Sequence, residues 1–181
     1  CVTKATSNVK KYSLIIGLGL LIGLFFNLSQ AGDNADAKTI DVESQMCLAK
    51  NIYFEARDQS LAAKMAVSFV VLNRIKHKQY PSTVCEVIHQ GPTYSWKPEF
   101  PVRNKCQFSW YCDGKSDKPK EKEAWDSALK VASLIIYAED SLIDFTEGAT
   151  HYHADHILPH WAAHLIKVGK IGDHIFYRWE L

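Results

Sequence analysis

An acid set among apolar residues is the first place to look for chemistry in this chain. In the stretch Cys47 to Arg57, CLAKNIYFEAR, a helical advance of about 100° per residue puts Leu48, Ile52 and Glu55 on one narrow stripe. Asn51 lies beside that stripe, and Tyr53 and Arg57 lie on the far side. Burying a carboxylate without a partner is costly. Desolvation favours the neutral form, so Glu55 is expected to keep its proton to a higher pH than a surface glutamate. A general acid needs that property. The competing reading is a glutamate that pairs with a surface Arg or Lys and caps its helix.

Two other sets carry polar chemistry. In Thr150, His151, Tyr152 and His153 an extended chain turns His151 and His153 one way and Thr150 and Tyr152 the other. With His156 or His160 the two imidazoles are a possible zinc site. The reading preferred here is that they line a groove for a polyhydroxylated ligand, with no metal and no cofactor. Gln107, Ser109 and Trp110 place an amide and a hydroxyl beside aromatic rings in CQFSWYC, a loop bracketed by Cys106 and Cys112. That mixture suits sugar recognition.

The elements that must position these residues follow from periodicity and breakers. The first helix is predicted over 44–57, with Ser44 or Asp41 as cap, and Asp58-Gln59-Ser60 ends it. The second, 61–77, is apolar nearly all round and belongs in the middle of the core, with Asn73 in a structural role. Residues 84–89 form a short helix or strand. The segment 91–105, with Pro92, Pro98 and Pro101, is expected to be a surface loop. A third helix is predicted over 121–138, a turn over 144–148, a strand or groove wall over 149–154, a short helix over 159–168 and a last strand over 173–179.

Composition narrows the function classes. The chain has 181 residues with 21 basic and 20 acidic side chains. Lys4, Lys10 and Lys11 fall in the first 31 residues, which hold no acid, leaving 18 basic against 20 acidic beyond them. A nucleic-acid binder would show a basic excess. Residues 1–31 read as a signal peptide or membrane anchor: Lys10 and Lys11 precede an apolar run over 14–28, and Ser29-Gln30-Ala31 supplies small residues. At about 15 residues the run is short for a span, which takes roughly 20. Residues 32–43 read as a linker, and 44–181 as one catalytic domain. Export gives the cysteines meaning: Cys106 and Cys112 can close a short loop, and Cys47 and Cys85 can also pair.

Taken together, NIYFEAR (51–57), AVSFVVLNRI (66–75), YPSTVCEVIHQ (80–90), CQFSW (106–110), GATHYHA (148–154) and IGDHIFYR (171–178) resemble the SleB-like cell wall hydrolases. The resemblance implies a mostly helical α+β, lysozyme-like fold with a small β element. It also implies a lytic transglycosylase with one catalytic glutamate, here Glu55. Gln107, Ser109, Trp110, Thr150, His151, Tyr152 and His153 would then bind the glycan strands of peptidoglycan. The protein would be a monomer in the periplasm, in the cell envelope or outside the cell, possible membrane anchoring coming through residues 14–28. One departure stands out. The family turn Pro-Thr-Gly-Gly is replaced by Phe145-Thr146-Glu147-Gly148, which adds a carboxylate near the expected groove, most simply a solvated one. Three alternatives remain at this stage: a hydrolytic muramidase with a second acid, a zinc amidase or peptidase built on His151 and His153, and a wall-binding protein without activity.

Overall fold

A computed structural model describes residues 42–180. The expected export segment, 1–31, and all but the last two residues of the expected linker lie outside them. The elements run α1 (42–56), α2 (Leu61–Lys76), α3 (Val84–Ile88), β1 (Thr93–Tyr94), β2 (Lys97–Pro101), α4 (Lys122–Ala138), β3 (His151–Ala154), β4 (Ile166–Ile171) and β5 (His174–Arg178). Single 3-10 turns cover Ser109–Cys112 and His160–His164. The fold is α+β and mostly helical with a small β part, as expected; among the described residues that part is a two-stranded and a three-stranded sheet.

The helix α2 organises the domain because it is apolar on two faces. Phe69, Val71 and Leu72 join a cluster with Leu48 and Ile52 of α1, Val87 and Ile88 of α3, and Val131 and Ile135 of α4. Ala66, Val67 and Val70 pack the opposite way, against Ala149 and Phe176 beneath the sheet. Each fully buried aliphatic or aromatic side chain of this size contributes about 1.5–3 kcal/mol. Ser60 starts the helix, its hydroxyl accepting the Ala63 N–H at 3.3 Å. Asn73 donates through Nδ2 to the Ala149 carbonyl at 3.0 Å and to Asp144 at 2.8 Å, tying α2 to the turn before β3.

The sheet has strand order β3-β5-β4, all antiparallel, so β5 is central. His151 pairs with Tyr177 and Tyr152 with Phe176. Alternation sends Tyr152, His174 and Phe176 toward the helices, and His151, His153 and Tyr177 to the opposite face with Trp161. Among the described residues there are two disulfides: Cys47–Cys85 joins α1 to α3, and Cys106–Cys112 closes the loop between β2 and α4.

Several boundaries differ from the sequence reading. The first helix is already formed at 42, the first described residue, so Ser44 lies inside it, the expected cap Asp41 lies outside the described residues, and the helix ends at Ala56. The expected loop 91–105 contains the β1–β2 hairpin; Pro98 and Pro101 are tolerated because this strand pairs with a partner on one side only. The expected helix 159–168 is a 3-10 turn followed by β4. Its apolar positions, Ile166, Val168 and Ile171, are spaced by two and then three because the ladder slips between Lys167 and Gly169.

Candidate active site

The side chain of Glu55 leaves α1 one residue before the helix ends and meets Tyr152, which β3 presents from the other side. The Tyr152 hydroxyl donates to Glu55 Oε2 at 3.0 Å. The stripe expected for α1 is present, with Leu48, Ile52 and Asn51 fully buried. Asn51 accepts the Trp110 indole N–H at 3.0 Å. Tyr53, on the far side of α1, is buried rather than solvent-facing; its hydroxyl accepts the backbone N–H groups of Lys120 and Glu121. Arg57 pairs with Asp58 and Glu121 at 3.6 Å and has no part in the Glu55 surroundings.

A cavity of about 270 Å³ opens over Glu55, bordered by Arg74, Gln107, Phe108, Ser109, Tyr152, His153, Ala154, Ile157 and His174. Among the described residues Glu55 is the one carboxylic acid on that border. Burial pushes its carboxyl above the ordinary range, and neither the Tyr152 hydrogen bond nor the Arg74 charge overcomes that. Burial, reinforced by the neighbouring Glu55, raises Tyr152 well above a free phenol, so it stays a donor. The donated bond occupies Oε2 and leaves Oε1 free to carry the mobile proton.

Gln107, Ser109, Tyr152 and His153 border this cavity, whereas Thr150, His151 and Trp110 do not. Thr150 is buried, and its carbonyl accepts Arg74 Nε–H at 2.8 Å, so it positions a cavity residue from behind. His151 faces away, with Nδ1 2.9 Å from Thr150 Oγ1 and its ring among Tyr80, Trp161 and Trp179. Burial, the Arg74 charge and His77 hold its imidazole down to about 4. Trp110 stacks on Phe54 with ring centres 4.8 Å apart and borders a second cavity of about 470 Å³. Ser109 belongs to both borders, so the two cavities adjoin there.

The zinc alternative meets a local obstacle. Both ring nitrogens of His153 are engaged, Nδ1 by the Ala154 carbonyl at 2.8 Å and Nε2 by the Tyr177 hydroxyl at 2.9 Å. Among the described residues no three His, Cys, Asp or Glu side chains come together as a metal site. Glu147 is exposed and absent from the cavity border, so it is no partner for Glu55. Asp58, the acid one turn from Glu55, is also exposed, its side chain at 79%.

Sequence reasoning missed Arg74 and His174. Arg74 is 5% exposed, with its guanidinium against the rings of Tyr80 and Phe108 at 5.2 and 5.0 Å. The available signal was a cation within a helix apolar nearly all round. His174 is 9% exposed and lies edge-on to Tyr152, ring centres 5.0 Å apart. Its signal was the alternation of DHIFYRW, which puts it on the Phe176 face.

Two solved structures share this fold. The catalytic domain of the germination-specific lytic transglycosylase SleB from Bacillus anthracis matches with a TM-score of 0.53 and 24% identity, covering 75% of this chain and 93% of that one. The catalytic domain of the Bacillus cereus SleB protein matches with a TM-score of 0.51 and 24% identity, covering 75% and 91%. No curated protein sequence matches the chain. The sequence profile of the Cell Wall Hydrolase family matches residues 58–177, starting three residues beyond Glu55. With two thirds of its length inside that profile, the chain belongs to the cell wall hydrolase family.

Proposed function

We propose that this domain cuts the glycan strand of peptidoglycan between N-acetylmuramic acid and N-acetylglucosamine, as a lytic transglycosylase. The observation that carries the reading is a cavity whose border, among the described residues, has a single carboxyl group, half-buried and held by one hydroxyl donor. Protonated Glu55 gives its proton from Oε1 to the bridging oxygen as the bond to C1 breaks and positive charge develops there. The carboxylate left behind keeps the Tyr152 hydrogen bond. It then takes the proton of the muramic C6 hydroxyl, whose oxygen closes on C1 to give a 1,6-anhydro end. Glu55 is protonated again and no water is consumed.

Hydrolysis by two acids needs a second carboxyl about 5–9.5 Å away across the bond. Neither Asp58 nor Glu147 borders the cavity, which supports transglycosylation over a muramidase. The adjoining cavities at Ser109 fit a polymer that continues past the reacting sugar, with Gln107 and Ser109 beside the cut and Trp110 further along. The apolar run over 14–28 and the two disulfides support action outside the cytoplasm, cleaved free or anchored.

Mass spectrometry of purified peptidoglycan digested with this protein tests the reading. Anhydro-muropeptides are expected, and Glu55→Gln should lose at least about 100-fold in rate. Reducing ends without the anhydro bridge would replace it with a muramidase. Free stem peptides, or full activity in Glu55→Gln, would overturn it.

A further inference from the structure

Arg74 and His174 border the Glu55 cavity with hydrogen-bonding capacity that the protein does not use. Among the described residues Arg74 Nη1 and His174 Nδ1 are sealed from solvent and have no partner. Among the described residues the one hydrogen bond of the Arg74 side chain is from Nε to a neutral carbonyl, and no acid lies in ion-pair contact with it. Tyr80 and Phe108 hold its plane. An unmet donor in such a place costs about 1–3 kcal/mol, more when it is charged. The cost is recovered only when something enters the cavity and accepts from it. His174 offers the complementary group. Burial keeps its imidazole below the ordinary range against the opposing pull of Asp173 and Asp155, and with the ring proton on Nε2 the unpartnered Nδ1 is an acceptor.

We infer that the Glu55 cavity holds the acetamido group of an N-acetylated amino sugar, Arg74 donating to its carbonyl oxygen and His174 accepting its N–H. An amide carries one acceptor and one donor, matching one donor and one acceptor in the wall. A carboxylate ligand would leave His174 without a donor and would lie beside the Glu55 carboxyl. This assignment rests on the glycan-cutting reading for its substrate, and it adds which substituent fixes the sugar beside the acid.

Calorimetric binding of the full chain to N-acetylglucosamine tetramer and to its de-N-acetylated form tests the inference independently of any bond being cut. The wild type should bind the acetylated tetramer at least about tenfold more tightly. Re-acetylation of the stripped sugar should restore binding. Arg74→Lys keeps the positive charge but loses the planar fork, and His174→Phe keeps ring packing but loses the acceptor. Both should lose the preference while retaining the wild-type circular dichroism. Equal binding of the two tetramers by the wild type would overturn the inference. So would a preference surviving in Arg74→Lys, which would trace it to charge alone, or in His174→Phe. A digest that releases stem peptides from uncut glycan strands would instead remove the glycan-cutting reading and leave this result standing by itself.

Discussion

Replacing Tyr152 by Phe deletes one oxygen atom and isolates what it does for Glu55. The ring keeps its neighbours, Phe176 at 5.6 Å and His174 at 5.0 Å between ring centres, so packing changes little. The hydroxyl donates to a group that becomes an anion once the proton has gone to the sugar. A hydrogen bond to a charged partner is worth about 1.5–3 kcal/mol. Its loss is therefore expected to lower kcat/KM by roughly ten- to a hundredfold. The same bond pulls the Glu55 carboxyl down against the effect of burial. Without it the carboxyl moves further up, so the alkaline limb of the pH–activity profile should shift to higher pH as the maximum falls. The assay is turbidity loss of purified peptidoglycan across pH, for wild type and Tyr152→Phe. A profile with unchanged limbs and a rate within about twofold of wild type would refute the idea that this bond serves the proton transfer.

Other consequences are open to direct measurement. Because burial raises the Glu55 carboxyl, the folded state holds its proton where the unfolded chain has released it; stability therefore falls as pH rises above the ordinary carboxylate value, through the folded one. Glu55→Gln should accordingly melt higher than wild type at neutral pH, and the difference should vanish in acid. Replacing Cys47 and Cys85 together by Ser removes a link across 38 positions, and urea unfolding should register a loss of about 4 kcal/mol. Glu147 sits at φ 50°, a left-handed conformation that costs an L-residue about 1–2 kcal/mol. Glu147→Gly should stabilise by about 1 kcal/mol in the same assay, with activity unchanged.

How much was legible in the sequence depended on the range of the forces involved. Glu55 was readable because the stripe it shares with Leu48 and Ile52 is a property of one helix. The opposed faces of His151 and Tyr152 were readable for the same reason, from the alternation of one strand. Which face would meet Glu55 was not, because Phe176 and Ala149 decide it by packing on Ala66, Val67 and Val70. Arg74 escaped notice because a cation in the last turn of a helix already has a sufficient explanation in the helix dipole. Only the tertiary structure turns it inward onto Tyr80 and Phe108. Strand β4 was missed where its ladder slips, and the β1–β2 hairpin was hidden by prolines that an edge strand accommodates.

The Tyr152–Glu55 bond spans 97 positions of the chain, one partner on the first described helix and the other on the first strand of the sheet. Neither half of the polypeptide holds a working centre by itself. The chain thereby lacks a working centre until its last strands have docked, whatever part of the domain has folded before them.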